Sequence, residues 1–320
     1  TFDAGIAKSR DQATLMWDPR APPNVPLLRP VSAMDLVFLA SVAALSLSVL
    51  ARRRDYADLA RASAIVGWSA FAGFWAITAV TYLGGSRYFL GSVSLVTAGL
   101  SGYGIRLSVD RIEPHASLTT VFAVMGLLFV PYQFLDPVFT FVVQTVTTHT
   151  AVLLSSLGFE PVIVDGSAGP ATAIIFESHP WIVYNIVSAC TGFGAIALFA
   201  GLFAVGGRSR YGRIRGGLVV GVLIYALNLL RTVVVGGSIP SEVFAGTEIL
   251  VTPLFGVDRP ALVSFYFAEY VFAQTLVVVV LLGMYLVVVR LFPGIQTHVD
   301  ALLSSARTDA DRLLTRAGDP

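Results

Sequence analysis

Two residues stand out from the apolar stretches of this sequence. Cys190 is the only cysteine among 320 residues and lies within a long apolar run. Arg231 is the lone charge of a second apolar run that follows the first. A thiolate is a nucleophile, and a nearby guanidinium lowers the pKa of a thiol and can hold an oxyanion by charge-assisted hydrogen bonds. The pair therefore predicts nucleophilic acyl chemistry, provided that the fold brings the two side chains together.

The composition predicts that these residues are positioned by membrane helices. Hydrophobic residues make up 55% of the chain and charged residues 13%, about half the charged share of a typical soluble domain. The mean hydropathy is +0.76. We therefore expect an all-α fold, a polytopic transmembrane helical bundle of seven to eight spans of about 20 residues each. The predicted spans are approximately 31–51, 63–83, 88–109, 117–135, 181–207, 216–237 and 261–291.

The remaining segments divide the chain into three parts. Residues 1–30 are polar and rich in proline, which predicts an extended lead-in. The membrane domain covers 31–292, with its catalytic part at about 175–280, and a charged cytoplasmic tail follows at 293–320. Residues 136–158 are less apolar and could form another span or an amphipathic helix at the interface. An eighth span would lie upstream of the first residue.

The distribution of arginines sets the expected orientation. Clusters at 52–61 and 208–215 should remain cytoplasmic, because basic loops are retained inside. At ~1.5 Å per residue, Cys190 then lies roughly 13 Å, and Arg231 roughly 9 Å, below the outer ends of two consecutive helices. Since consecutive antiparallel helices tend to be neighbours, we expect the thiol and the guanidinium at one level in the outer leaflet. By the same rule the loop near Arg111 should be inside and the loop at 159–181 outside, so an odd number of crossings is needed between them. One crossing at 117–135 with an interfacial helix at 136–158 meets this requirement, and two crossings do not.

Each of the two residues also has a purely structural interpretation. A buried cysteine behaves as a small hydrophobic residue, and an arginine near a helix end can extend its side chain to the interface. A charge on a transmembrane helix nevertheless costs ~2.5–3.5 kcal/mol, and such residues usually serve a function. Arg231 beside Cys190 therefore favours a reactive thiol over a packing role.

Two further residues could complete the site. Tyr270 lies on the last predicted span at the level of Cys190, and Arg259 precedes that span in a loop. The structural alternatives are packing for Tyr270 and an ion pair with Asp258 for Arg259. His179 lies roughly 16 Å from the thiol if one helix joins the two, so we interpret it as an interface residue.

The stretches ACTGFG at 189–194 and NLLR at 228–231 resemble the motifs of the exosortase/archaeosortase family of membrane transpeptidases. The resemblance is specific over roughly 175–280 and implies that Cys190 forms an acyl thioester while Arg231 assists. It also implies a third basic residue on the last span, which this sequence lacks there; Arg259 is the nearest basic group.

The partners implied by this resemblance are the C-terminal sorting signals of secreted surface proteins. Such a signal combines a short motif of the Pro-Gly-Phe type with a transmembrane helix and a basic tail. The cleaved protein is passed to a membrane lipid acceptor at the extracytoplasmic face of the cell membrane. No cofactor is implied.

A non-catalytic function is the alternative. The missing third basic residue would suit a receptor, carrier or chaperone that binds hydrophobic helices without chemistry. One cysteine excludes an internal disulfide and a cysteine-based metal site, and the four histidines show no metal-ligand spacing. The sequence contains nothing typical of nucleic-acid or nucleotide binding.

Overall fold

A computed structural model describes residues 31–84, 88–110, 114–206 and 210–291, together with single positions between 296 and 308. The predicted lead-in and most of the predicted tail lie outside the described residues. The helices of the described chain are α1 (Ala33–Arg53), α2 (Ala57–Gly84), α3 (Tyr88–Val109), α4 (Pro114–Phe134), α5 (Asp136–Ser156), α6 (Phe193–Gly206), α7 (Arg210–Ser241), α8 (Glu248–Phe255), α9 (Pro260–Phe267) and α10 (Ala273–Leu291).

Local sequence explains where α1 begins and ends. Asp35 N–H donates to Ser32 Oγ at 3.2 Å, and Ser32 N–H donates to Asp35 Oδ2 at 2.9 Å. This reciprocal capping box satisfies backbone donors that the first turn leaves unpaired. Arg52 and Arg53 lie in the last turn, where basic side chains complement the negative end of the helix dipole.

Six helical stretches of the described chain are long and apolar enough to cross a membrane. They lie in α1, α2, α4, α5 and α7 and in the continuous stretch Pro260–Arg290. The predicted all-α polytopic class is confirmed, and the predicted number of spans fits approximately. By length and composition α5 is a candidate span, not the interfacial helix that the crossing count favoured. Residues 88–109 form helix α3 as predicted but are not among the six.

The predicted span over 181–207 is wrong. Its first residues belong to a β-strand, and helix α6 has 14 residues, which is short for a crossing. The strands are β1 (Pro161–Gly166), β2 (Gly169–Phe176) and β3 (His179–Asn185), in the order β1-β2-β3 with antiparallel pairing. The apolar run that suggested one helix is therefore a strand, a turn and a short helix.

Strand β3 shows the alternation that hydropathy averages out. Ile182 and Tyr184 are buried, whereas Trp181 and Val183 are exposed. Successive side chains of a strand point to opposite faces, and β-branched and aromatic residues favour strands. A short run of this kind is too apolar overall to be told from a buried helix by hydropathy alone.

The sheet packs against the ends of α5 and α7. A Cβ at Gly236 would lie 3.1 Å from Leu154 Cδ1 and 3.4 Å from Tyr184 Cδ1, so this glycine allows the close approach of three elements. Leu154, Tyr184 and Ile174 of β2 belong to one buried apolar cluster, which also contains Cys190. The sheet thus fixes the start of the segment that carries the cysteine.

Candidate active site

Cys190 lies in a tight turn between a strand and a helix. The turn spans Ser188–Cys190 and is a single 3₁₀ segment, in which Cys190 N–H donates to the Val187 carbonyl at 2.8 Å. The side chain is 2% exposed. The thiol is therefore held by irregular backbone just before the N-terminus of α6, and not by a spanning helix as predicted.

Tyr132 of α4 holds this turn from one side. Its ring stacks on Phe193 with centroids 4.3 Å apart, and its hydroxyl lies 3.2 Å from both Ser188 Oγ and Thr191 Oγ1. The Thr191 hydroxyl donates to the Ser188 carbonyl at 2.8 Å. These contacts fix Ser188 before the cysteine and Thr191 after it.

Helix α7 holds the turn from the other side through Asn228. Its side-chain amide donates to the Cys190 carbonyl. Gly192 has φ +69°, a conformation that side chains disfavour, and a Cβ there would lie 3.2 Å from Asn228 Cβ. Gly192 of the 189–194 motif is therefore required by its backbone conformation and by the close approach of α7.

Arg231 reaches the same turn from the same helix. Residues three apart share a face of a helix, so Arg231 lies beside Asn228. Arg231 is 5% exposed, and its guanidinium lies within hydrogen-bonding reach of the Cys190 thiol. The structure thus brings together the two residues that the sequence singled out.

Glu269 is a partner of Arg231 that the prediction of site residues missed. Arg231 Nη2 donates to Glu269 Oε1 at 2.9 Å, and both side chains are largely buried. Glu269 lies in a π-helical segment, Ala268–Phe272, that joins α9 to α10. Such segments insert an extra residue into a helix and often occur at functional sites. An acidic residue in an apolar span was the signal that could have identified it.

The π-helical segment also affects Tyr270. Tyr270 is 52% exposed, and its ring lies 5.2 Å from that of Phe255 and 5.4 Å from that of Tyr266. Counting residues along a regular helix placed Tyr270 at the level of the cysteine; in the structure it is the neighbouring Glu269 that contacts Arg231.

Arg259 lies at another place in the fold. It is the residue before the first turn of α9, and its guanidinium carbon lies 4.9 Å from the centre of the Trp181 ring. This cation–π contact ties the start of the last span to the exposed face of β3. The structure therefore places the Arg259 guanidinium against the sheet.

Tyr184 is the second residue that sequence reasoning missed. It is 2% exposed and close enough to interact electrostatically with Cys190, Arg231 and Glu269. Among the described residues its hydroxyl has no hydrogen-bond partner, and Arg231 Nε and Glu269 Oε2 also lack one. We refer to Tyr184, Cys190, Arg231 and Glu269 as the buried polar cluster.

The protonation of Cys190 reflects opposing influences. Burial raises the pKa of the thiol above its ordinary value, and the Glu269 carboxylate acts in the same direction. A backbone hydrogen bond with Val187 and the Arg231 guanidinium lower the pKa of the thiol by less. The resting thiol is therefore protonated at neutral pH.

A cavity of about 270 Å³ extends from the turn between the helices. Its polar lining lies at the end formed by Ser188, Asn228 and Arg231. The remainder is apolar and comes from α4, α6, α7 and α10: Phe129, Ala195, Ile224, Leu227, Leu276, Val277, Val280, Leu281 and Met284, with Ala189, Gly192 and Gly194. Within the described ranges, no group of three His, Cys, Asp or Glu side chains could hold a metal ion.

Comparison with known proteins identifies relatives. Residues 31–238, well over half of the chain, match the profile of the transmembrane exosortase family, Exosortase_EpsH. Archaeosortase A of Haloferax volcanii is 29% identical over 274 residues, covering 82% of this chain and 90% of that protein. Archaeosortase A of Natronomonas pharaonis is 25% identical over 291 residues, covering 87% and 90%. No solved structure matches significantly.

Replacing Gly192 tests the geometry of the turn. Gly192→Ala should destabilise the protein by about 1–3 kcal/mol, because the new side chain adopts a strained backbone conformation and crowds Asn228. Gly194→Ala is the matched control, since a Cβ at Gly194 meets nothing within 4 Å. Thermal unfolding in detergent measures both. Equal midpoints for the two variants would contradict the geometry.

Replacing Glu269 tests the electrostatics of the thiol. Glu269→Gln removes a negative charge that raises the pKa of Cys190, so the pH midpoint for alkylation of this single cysteine should fall. A small thiol reagent followed by mass spectrometry measures the rate at each pH. Glu242→Gln is the control, because Glu242 pairs with His179 at 3.3 Å. An unchanged or higher midpoint in Glu269→Gln would show that the carboxylate does not act on the thiol.

Proposed function

Since the chain belongs to the transmembrane exosortase family, we propose that it is a membrane-embedded cysteine transpeptidase that processes C-terminal sorting signals. One observation carries the proposal: the single cysteine lies in reach of a buried guanidinium that is itself fixed by a carboxylate. The two relatives named archaeosortase A, aligned along most of their length, support the same activity.

Cys190 is the nucleophile in this proposal. Its sulfur attacks the scissile carbonyl carbon of the sorting signal, and a tetrahedral oxyanion forms. Collapse of the oxyanion breaks the C–N bond, leaves an acyl thioester on Cys190 and releases the C-terminal fragment as an amine that takes up the thiol proton. An acceptor hydroxyl or amine then attacks the thioester, which restores the thiol.

Arg231 stabilises charge and does not transfer protons, because a guanidinium stays protonated in proteins. In a buried site, a fixed positive charge beside the developing oxyanion is worth more than it would be in water. Glu269 holds the guanidinium in place through the 2.9 Å hydrogen bond. The carboxylate thereby takes a structural position on the last span, where the resemblance implied a basic residue.

A membrane lipid is the acceptor that the cavity supports best. The lining runs along α10 from Leu276 to Met284, roughly 12 Å at ~1.5 Å per residue. Apart from Ser188, Asn228 and Arg231 at one end, the lining is apolar along this length, which suits the hydrocarbon chain of a lipid.

The orientation follows from the arginine clusters of the sequence. Arg52, Arg53 and Arg54 at the end of α1 favour a cytoplasmic position for that loop. We place the buried polar cluster at the extracytoplasmic face of the cell membrane, where it would meet the sorting signals of secreted surface proteins. Pro-Gly-Phe is the type of motif that the resemblance implies for these signals.

Cys190→Ser tests the central step. The variant should fold like the wild type and leave a co-expressed substrate with an intact C-terminal sorting signal, because a serine hydroxyl is less acidic than a thiol and its oxygen is a weaker nucleophile than sulfur. Intact mass of the substrate measures processing, and hydroxylamine traps the wild-type thioester as a hydroxamate. Processing by Cys190→Ser would refute the cysteine mechanism. A wild type that binds substrate but never yields a hydroxamate would favour the non-catalytic alternative.

Filling the cavity tests the lipid acceptor. Val280→Trp places a large ring in the cavity and should lower transfer to lipid about tenfold or more, equivalent to ~1.4 kcal/mol or more, while thioester formation continues. Val279→Trp is the matched control, because the side chain of Val279, the preceding residue, is exposed on the outer surface of the same helix. Lipid-modified substrate and trapped thioester are quantified separately. Equal transfer by both variants would exclude the cavity as the lipid site.

A further inference from the structure

The buried polar cluster contains a hydroxyl without a hydrogen-bond partner. Arg231 and Glu269 each leave one polar atom unpaired, but each also makes a hydrogen bond to the other. The Tyr184 hydroxyl has no partner at all among the described residues. Burying such a group costs free energy, so native proteins rarely retain one without a reason. A group that the bound substrate satisfies is one such reason.

The ring of Tyr184 is held so that the hydroxyl cannot move to another partner. Strand pairing places Tyr184 opposite Ile174 of β2, on the buried face of the sheet. The ring packs edge-on against Phe265 with centroids 5.9 Å apart, and Gly236 allows α7 to approach it. Three elements therefore fix the direction of the hydroxyl. The site is preorganised at this position, since ordering the side chain costs nothing when substrate arrives.

The surroundings of the hydroxyl are those of the reacting atoms. The charges that act on Tyr184 come from Cys190, Glu269 and Arg231, the same groups that surround the thiol. Burial raises the pKa of Tyr184 well above its ordinary value, which keeps the hydroxyl protonated and able to donate. Tyr184 and Cys190 lie close together in the chain, because β3 ends at Asn185 and the 3₁₀ turn begins at Ser188.

We propose that Tyr184 is a catalytic residue whose hydroxyl donates a hydrogen bond to the scissile carbonyl oxygen as it becomes an oxyanion. This inference rests on the proposed function. As the sulfur of Cys190 bonds to the carbonyl carbon, the π electron pair moves to oxygen, which the Tyr184 O–H and the Arg231 guanidinium stabilise. On collapse the pair re-forms the C=O bond, the C–N bond breaks with its electron pair on nitrogen, and the leaving nitrogen takes up the proton that came from the Cys190 thiol. The proton of Tyr184 stays on the tyrosine throughout.

Tyr184→Phe separates this function from a structural one. Removing an unpartnered buried hydroxyl should leave thermal stability unchanged or increase it, whereas a hydroxyl with a structural bond would reduce it. The rate of thioester formation should fall about 10²–10³-fold, the usual effect of losing one oxyanion donor. The loss should appear in the single-turnover rate at saturating substrate, with the half-saturating concentration little changed.

Tyr225→Phe is the matched control. The Tyr225 hydroxyl lies 2.6 Å from His149 Nδ1, outside the buried polar cluster, so its removal should lower stability and leave the rate of thioester formation unchanged. Equal rates for Tyr184→Phe and wild type would overturn the proposal. A parallel loss of stability and rate in Tyr184→Phe would overturn it too, because it would identify a structural hydroxyl.

A peptide aldehyde ending at the cleavage position provides an independent measurement. Its carbonyl adds the thiol and forms a tetrahedral hemithioacetal, so Tyr184→Phe should bind the aldehyde more weakly by tenfold or more, on the order of one lost hydrogen bond. The corresponding peptide alcohol should bind both proteins equally. Equal loss for the two peptides would assign Tyr184 to ground-state binding and refute the proposal. If wild type forms no thioester while its fold is intact, the proposed function fails, and not this inference alone.

Discussion

The buried pair of Arg231 and Glu269 constrains the arrangement of the elements around it. Either charge alone would be strongly unfavourable among apolar helices, and breaking a buried pair typically costs ~3–5 kcal/mol. Arg231 lies on α7 and Glu269 on the last helical stretch, so the pair fixes the rotation and height of these two elements relative to each other. The π-helical segment satisfies this constraint, because it turns the carboxylate inwards without interrupting the helix.

The position of the thiol follows from the same helix. Asn228 and Arg231 on one face of α7 contact the backbone and the side chain of Cys190, respectively. Tyr132 holds the opposite side of the turn. A thiol in irregular backbone can approach a substrate carbonyl more closely than one within a helix, because no neighbouring turns of the helix surround it. The sheet supplies the rigid support that such a turn otherwise lacks.

Sequence reasoning singled out Cys190 and Arg231, which the structure brings together, because both residue types are out of place in apolar surroundings. It also predicted the helices of α1 to α4, since runs of about 20 apolar residues have few other solutions in a membrane. The prediction from hydropathy failed at 181–207, because the mean hydropathy over a strand, a turn and a short helix resembles that of one span. The depths of roughly 13 and 9 Å assumed that both residues lie on straight spanning helices. In the structure only Arg231 does, and it meets Cys190 in a turn between a strand and a helix.

Sequence reasoning missed Glu269 and Tyr184 for different physical reasons. Glu269 and Tyr270 are adjacent, and a count of residues from the end of the span gives their depth but not the direction in which each side chain points, least of all where the helix is locally of the π type. Tyr184 lies in a strand that was predicted as part of a helix, so the alternation of buried and exposed side chains along the strand did not enter the prediction. Both errors concern local backbone geometry, which residue types alone do not determine.

The charges of the cluster explain why a neutral donor suits this site. With a protonated thiol, Arg231 and Glu269 cancel and the buried polar cluster is neutral. In the proposed reaction, loss of the thiol proton leaves one negative charge, first on sulfur and, after attack on the carbonyl, on oxygen, which a buried site tolerates poorly. A second cation would offset that charge but would leave the resting site with an uncompensated positive one. A tyrosine hydroxyl stabilises the oxyanion without altering the resting charge, so its burial without a partner costs less than a buried unpaired ion would.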